Sequence, residues 1–529
     1  MALPAALAPL RHPVFRSLWI AGLAANTGLW VQNTGAAWLM TSLAPSPVMV
    51  SLVQAASMLP VFLLALPAGA LADILDRRRM LIAAQLWMAA MGVLLAILTF
   101  SGGLGAWGLL ALTFGIGSGT ALIFPAMAAT TPELVPREDL VQAIALNGIG
   151  FNLARALGPA IGGFIIALSG VEASFVLAAS GFIVMVAALV LWRRTRSTDT
   201  LPPEHFLPAM RSGVFFVAAS PALRAAILRA CAFFFFTAAV WGLLPILVRG
   251  RLGLGPDAFG LMLTAMGAGA VSAGFALPYL RGSATRGAIV FRFSILAACA
   301  IALLGAFPHW LPAGVGMVAF GIAWIGAAST LQAAAQLASP AWVRARAIGI
   351  YQLSFFGALA AGSAIWGILG SIIGVTETLL LAAVTGAAVA ALVRSWRIDP
   401  PSSAQAPAAP LPMPEAPAAE FTELLNEHSG RLLEVVRYTV VAENRAPFIA
   451  LMAEMRRLRL RNGARVWRLY EDIAHPETFA ELWVMESWTD HLREAGRMDA
   501  GDLATLARAA AFHHGDAPPE ASRYLNLNP

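Results

Sequence analysis

The chain has 529 residues, of which 59% are apolar and only 12% charged, with a mean hydropathy of +0.73. Soluble proteins carry about 25% charged residues, so a water-soluble single domain is excluded. Residues 1–400 hold 22 Arg against 11 Asp and Glu, a balance of +11, while residues 401–529 hold 13 Arg against 18 acidic residues, a balance of −5, so two physically different bodies share the chain.

A bilayer core takes about 20 apolar residues per helix. Residues 16–394 divide into twelve such stretches, at 16–40, 48–71, 80–100, 105–130, 140–168, 171–192, 225–248, 257–280, 287–307, 310–338, 346–373 and 376–394. The first run is too long for a signal peptide and reads as a retained span. Arginine falls in alternate connections, at Arg77–Arg79, Arg137, Arg193 to Arg211, Arg281 and Arg286, and Arg344 and Arg346. Arg249 and Arg251 are the exceptions. By the positive-inside rule both ends of this body face the cytoplasm, in a multi-pass protein of the cell (inner) membrane. The arginines are spread between apolar runs, without the clustered basic face that phosphate binding needs, so nucleic acid is not expected as a partner. Cys231 and Cys299 lie inside apolar runs and read as small hydrophobes rather than a disulfide framework.

Sliding the chain by 204 residues brings Gly117 onto Gly321, Pro136 onto Pro340, Ala143 onto Ala347, Gly158 onto Gly362, Ala160 and Ile161 onto Ala364 and Ile365, and Gly163 onto Gly367. A six-span unit repeated in one orientation is a transporter architecture, with the solute near the midplane between the halves. The expected domains are a six-span half over 1–194, a cytoplasmic central loop over 195–224 and a second half over 225–397. A Pro- and Ala-rich linker over 398–419 follows, with seven Pro within 400–419. Beyond it come a soluble domain over 420–516 and a tail over 517–529. In the soluble part, residues 432–441 read as a strand, and 446–461 as a helix with Phe448, Leu451, Met452, Met455 and Leu458 on one face. Strands at 464–472 and 478–488 and helices at 489–496 and 499–513 complete a βαββαα order.

Three motifs carry the mechanistic reading. Between spans 2 and 3, Gly69, Asp73, Asp76, Arg77, Arg78 and Arg79 place carboxylates beside guanidiniums in a short turn, which suits either a gate latch or an orienting basic cluster. In span 5, Gly158, Pro159, Gly162 and Gly163 make a small-residue surface for close helix approach, as a packing hinge or as ordinary bundle packing. Arg155, near the middle of that span, demands water, a partner or a ligand; the sequence places no Asp, Glu or His deep within any span. An unpaired cation there would favour an acidic or phenolic solute, while a cation bonded to backbone or amide groups would be structural. Asn26, Trp30, Asn33, Asn152, Trp241, Gln332 and Tyr351 are candidate solute-binding residues, with helix-to-helix hydrogen bonding as the alternative for the polar ones. Trp38, Trp324 and Trp366 are further aromatic candidates, Trp38 more as an interface anchor.

The run from Gly69 to Arg79 resembles the signature of the major facilitator superfamily between its second and third spans, with Asp76 standing where many members have Gly. The Gly158 to Gly163 run resembles the signature that superfamily associates with exporters, and in it spans 1, 4, 7 and 10 line the cavity. FRSLWIAGLAANTGLWVQNTGAAWLM, ASPAWVRARAIGIYQ and GSAIWG resemble the branch containing the enterobactin exporter and the transmembrane secretion effectors. That resemblance implies proton-coupled export of a siderophore-like or drug-like solute, with Asp73 the best-placed titratable group. NGARVWRLYEDIAHPETFAELWVMESWTDHLREAGR resembles dimeric ferredoxin-like domains of the antibiotic-biosynthesis monooxygenase type. His491 matches a position where that type often has His. Ala495 stands where related transporter tails carry another His, and no His or Cys set has metal-ligand spacing. The tail is therefore expected to dimerise or sense rather than catalyse.

The expected fold is an all-α membrane protein, a twelve-span major facilitator fold of six-plus-six parallel repeats, joined to a soluble α+β ferredoxin-like domain. The expected function is secondary export of a small organic solute by alternating access, with no enzyme activity, cofactor or metal. The expected partners are the solute, the proton, the bilayer and a second copy through residues 420–516. No P-loop occurs, so an ion or solute gradient supplies the energy. The rivals are an importer or uniporter on the same fold and a membrane-tethered enzyme.

Overall fold

The computed structural model describes residues 5–192, 206–340, 343–399, 431–498, 500–515 and 517–526. The side chains of Asp73 and Asn152 and nearly all of the expected linker lie outside the described residues. Thirteen helices form the membrane body and its central connection: α1 (Pro13–Leu43), α2 (Pro47–Ile74), α3 (Arg77–Phe100), α4 (Ala106–Leu134), α5 (Leu140–Ser169), α6 (Val171–Leu191), α7 (Phe206–Ala219), α8 (Pro221–Ile246), α9 (Pro256–Ser283), α10 (Arg286–Ala306), α11 (Trp310–Leu337), α12 (Arg344–Ile373) and α13 (Val375–Val393). Eleven of them are long and apolar enough to cross a bilayer. α1, where the first of the twelve spans was expected, is not among them: it has the length at 31 residues, but Asn26, Thr27, Gln32, Asn33 and Thr34 lower its hydropathy. It tolerates them because small residues seat it against α6: a Cβ on Gly28 would lie 3.0 Å from Ala178 Cα, and one on Gly181 would lie 2.8 Å from the Ala24 carbonyl. The shortest helix, α7, occupies a segment the sequence suggested was loop.

The duplication is visible in matched contacts. A Cβ on Gly117 of α4 would meet the Ser57 carbonyl and Pro60 of α2, and one on Gly321 of α11 would meet the Met266 carbonyl and Ala270 of α9. Gly158 of α5 faces Thr27 and Trp30 of α1, as Gly362 of α12 faces Phe235 and Ala238 of α8. Each half also joins its fifth and sixth helices through one glycine at positive φ, Gly170 at 85° and Gly374 at 96°, a region that side chains resist. These two positions are again 204 residues apart.

A second compact unit gathers Glu204–Ala226, Ala333–Ile350 and Arg397–Pro529. Its soluble part runs β1 (Leu432–Thr439), α14 (Arg445–Arg461), β2 (Val466–Glu471), β3 (Thr478–Met485), α15 (Trp488–Arg497), α16 (Ala500–Ala510) and β4 (Glu520–Leu525). The sheet order is β2-β3-β1-β4 with every neighbouring pair antiparallel, which is the ferredoxin-like arrangement. The segment read as a tail over 517–529 therefore supplies the fourth strand, with Val435 opposite Ser522 and Leu432 opposite Leu525. The alternation of β3 puts Phe479, Glu481, Trp483 and Met485 inward. Phe448, Met452 and Met455 of α14 close the core over that face, and Gly463, at φ 116°, lets the chain turn out of the helix.

Candidate functional site

Where the two halves of the membrane body meet, aromatic side chains form a continuous series. The Trp30 ring of α1 lies 6.0 Å from Trp241 of α8, which lies 5.5 Å from Trp324 of α11. Trp324 lies 5.2 Å from Phe234, and Phe234 packs edge-on at 4.4 Å against Phe355 of α12. From Phe355 the series passes through Phe356 at 4.8 Å to Phe124 of α4 at 5.9 Å, and on to Phe151 of α5 at 6.0 Å. Arg155 closes it, its guanidinium 6.0 Å from the Phe151 ring. Six helices from both halves thus contribute to one aromatic belt. It is also short of acceptors, because the indole N–H groups of Trp30, Trp241 and Trp324 are sealed from solvent and make no hydrogen bond. A buried indole N–H ordinarily finds an acceptor, and leaving one unmet costs about 1–3 kcal/mol. Three unmet donors on one belt form a surface that gains from an acceptor-rich, flat solute.

The other aromatic candidates are committed elsewhere. Trp366 donates to the Phe235 carbonyl at 2.8 Å, and Trp38 stacks on Phe259 at 5.4 Å. Among the polar candidates, Asn33 accepts from Ser57 at 3.1 Å and so ties α1 to α2. Asn26 is half-buried on α1, Gln332 is exposed on α11 and Tyr351 is buried on α12. Of the two readings that the sequence left open for Arg155, the structure shows a half-buried guanidinium that has an interaction partner. What the sequence reading missed is the phenylalanine series, since Phe124, Phe234 and Phe355 look like ordinary core in an apolar run.

The motif after α2 makes several contacts within the first half. Asp76 caps α3, its carboxylate accepting the Arg79 N–H at 3.0 Å, which explains an acidic residue at that position. Arg77 pairs with Glu133 of α4 at 2.7 Å. Arg78 donates to the carbonyls of Leu189 and Val190, both at 2.8 Å, where the end of α6 leaves acceptors free. A Cβ on Gly69 would meet nothing within 4 Å.

At the opposite end of the helices the contacts cross between halves. Gly163 of α5 and Gly260 of α9 touch backbone to backbone, so neither can carry a side chain. Gly162 faces Val31 and Thr34 of α1, and Pro159, within the same helix, is buried. A Cβ on Gly367 of α12 would lie 2.5 Å from Ser51 of α2. α8 ends in a wide π-type turn, Leu247–Arg251. From it Arg249 reaches Thr41 at 2.9 Å and Ser42 at the end of α1, with its guanidinium 5.7 Å from the Trp38 ring. Arg251 instead bonds the Gly305 carbonyl in its own half. The loop arginine that breaks the charge pattern is therefore an inter-half clamp.

The soluble domain holds a separate buried charge network. Glu481, fully buried, accepts from Arg459 Nε at 3.0 Å, Trp467 Nε1 at 3.0 Å and the Tyr438 hydroxyl at 3.2 Å. Arg459 also pairs with Glu494 at 3.1 Å and lies 3.5 Å from the Trp483 ring. Burial, and then the Glu481 charge, push the Tyr438 phenol well above its ordinary range, so it stays protonated. Burial likewise raises the Glu494 carboxyl, against the pull of Arg459. His491 Nδ1 lies 2.7 Å from Glu434 Oε1, and ligand atoms of Glu434, His491 and Glu494 lie within 4.8 Å of one another. Spacing along the chain hid that cluster. A cation there would compete with Arg459 and with Arg523, whose charge acts on Glu434 and Glu494.

Residues 4–529 match the family described as transmembrane secretion effector. The chain belongs to that family. This transmembrane secretion effector is 28% identical over 369 residues to the enterobactin exporter EntS of Shigella boydii serotype 18 (strain CDC 3083-94 / BS512), covering 68% of the chain and 86% of that exporter. It is 27% identical over the same length to EntS of Escherichia coli O1:K1 / APEC. Among solved structures it resembles a bacterial homolog of the human lysosomal transporter Spinster in its inward-facing, unoccupied conformation, with TM-score 0.59, 13% identity, and 74% of this chain and 97% of that one covered. It also resembles the human organic anion transporter MFSD10, with TM-score 0.53, 18% identity, and 74% and 100% covered. These likenesses show the major facilitator fold. The secretion effector is a multi-pass membrane protein that transports a small solute.

Proposed function

We propose that this transmembrane secretion effector exports an acidic or phenolic, siderophore-like or drug-like solute from the cytoplasm by proton-coupled alternating access. The observation that carries the reading is the set of three acceptor-less indole N–H groups, Trp30, Trp241 and Trp324, shared between the halves. A solute rich in oxygen acceptors meets those donors, its rings stack on the belt, and Arg155 adds positive potential at one end. The enterobactin exporters it resembles support this solute class. The alternation of arginine in the loops supports cytoplasmic ends for the chain.

The contacts of Arg249, Gly163 and Gly367 close the extracytoplasmic end in the present state, so the halves rock open there to release the solute. Asp73, beside the Arg77 to Arg79 turn, is the proposed proton carrier, and Gly69 and Asp76 to Arg79 form the cytoplasmic gate. Gly158, Pro159, Gly162 and Gly163 form the packing hinge. Asn26, Asn33, Asn152, Gln332 and Tyr351 are proposed as secondary wall residues. The ferredoxin-like domain serves as a dimerisation or sensing module, consistent with carboxylates that are already matched by guanidiniums.

Inside-out vesicles test the direction. With an imposed pH gradient, acidic and phenolic solutes accumulate in vesicles bearing the protein while neutral analogues do not. Accumulation only under the reversed gradient would make it an importer, and equilibration without concentration a uniporter.

A further inference from the structure

At the end opposite the Arg77 to Arg79 turn, the duplication sets two seams in corresponding positions, and they are built differently. Gly163 of α5 and Gly367 of α12 are 204 residues apart, the interval of the repeat, and each meets the other half. Gly163 meets another glycine, Gly260 of α9, so that seam is backbone on backbone. Gly367 meets Ser51 of α2 instead. A Cβ on Gly367 would lie 2.8 Å from the Ser51 hydroxyl oxygen, and a Cβ on Gly242 of α8 would lie 2.7 Å from the same atom. Ser51 is thus held between two glycines of the second half, with none of its surface exposed, and its hydroxyl makes no hydrogen bond. Other buried hydroxyls in the bundle bond the carbonyl one turn back, as Thr237 does to Phe233 at 2.7 Å, Ser294 to Val290 at 2.8 Å and Thr330 to Gly326 at 2.7 Å. For Ser51 that carbonyl belongs to Pro47, which faces Gly367 as well, 3.1 Å from where its Cβ would be. Ser51 lies about 6 Å inside the end of α2, within reach of water once the seam parts.

We propose that Ser51 makes the α2 seam the releasing one: the halves tilt apart about the α5–α9 contact, and the far end widens between α2 and the second half. The proposal deepens the alternating-access reading and rests on it for the parting of the halves, not for the direction of transport. A hydroxyl buried without a partner weights an equilibrium about fivefold to a hundredfold against the state that buries it. Opening returns this one to water. The contact of Gly163 with Gly260 buries no side-chain donor or acceptor and gains nothing from being opened. One seam therefore keeps the halves in register while the other lets them go.

Paired spin labels test this in the full-length protein, held in lipid nanodiscs with its two cysteines removed by Cys231→Ser and Cys299→Ser. Pro45→Cys with Ser371→Cys spans the α2 seam, and Ser169→Cys with Asp257→Cys spans the α5–α9 seam; all four positions are exposed. In the parent, the separated component should be larger, and its distances longer, across α2 and α12 than across α5 and α9. Ser51→Ala removes the unmet hydroxyl and keeps the Cβ, so the ratio of separated to closed molecules at the α2 seam should fall about fivefold or more. Gly367→Ala, which sets a Cβ against that hydroxyl, should move the same ratio the other way. Equal separation at both seams in the parent, or none at either, would overturn the tilt. A ratio unmoved or raised by Ser51→Ala, or unmoved by Gly367→Ala, would overturn the part given to the Ser51 contact. None of these distances requires transport, so import or equilibration in the vesicle experiment would leave them to decide the tilt on their own.

Discussion

The two ends of the membrane body are held by different kinds of contact. Beside the Asp76 to Arg79 turn, the charges stitch one half to itself: Arg77 to Glu133, Arg78 to the end of α6, and Asp76 to its own helix. At the other end, glycines and Arg249 join one half to the other. The difference teaches that a charge cluster at the proposed cytoplasmic gate can also brace one half from within. Strong local pairs make a half rigid, whereas backbone contact through glycine and a single reversible clamp allow two rigid halves to part and meet again.

Substitutions should separate these roles, and the largest effect is expected at the seam. Gly163→Leu forces a side chain into the backbone contact with Gly260 and should shift the equilibrium away from the closed far end by about 1–3 kcal/mol or more. Spin-label distances across α5 and α9 would lengthen and transport would fall at least about tenfold; unchanged distances would mean that the contact is incidental. Arg249→Ala removes two hydrogen bonds and a ring contact and should weaken the same closure by about 1–2 kcal/mol. Its signature is greater modification of single cysteines placed near the far end, with the fold intact. Asp76→Ala removes a helix cap worth about 1 kcal/mol. It should lower the thermal midpoint slightly and leave the cross-half distances unchanged. A change in those distances would show that the cap itself holds the two halves together.

How much of this was legible in the sequence follows from what each feature depends on. The spans and their duplication rest on hydropathy and on glycines that recur at a fixed interval, so Gly117 with Gly321 and Gly158 with Gly362 could be read directly. Gly170 and Gly374 obey the same interval and were overlooked because a turn glycine draws no notice until its φ is seen. Arg249 did leave a signal, as the arginine on the wrong side of the loop pattern, but its partners on α1 lie some two hundred residues away. β4 was hidden because Glu520, Ser522 and Arg523 make an edge strand look like a polar tail. The site was legible only in part. Trp30, Trp241, Trp324 and Trp366 look alike in sequence, and what distinguishes them is whether a neighbouring helix offers a carbonyl, as it does for Trp366 alone of the four.

The most direct test of the central claim uses that distinction. Trp324→Phe keeps an aromatic ring on the belt and removes one unmet N–H, while Trp366→Phe removes an N–H that is already bonded. Affinity of the purified transporter for an acidic phenolic solute, measured by titration calorimetry, should fall about fivefold to a hundredfold in Trp324→Phe, the loss of one hydrogen bond of about 1–3 kcal/mol to a ligand, and hold near the parent value in Trp366→Phe. Equal affinity in the parent and Trp324→Phe proteins would show that the solute is not held by the indole groups where the halves meet.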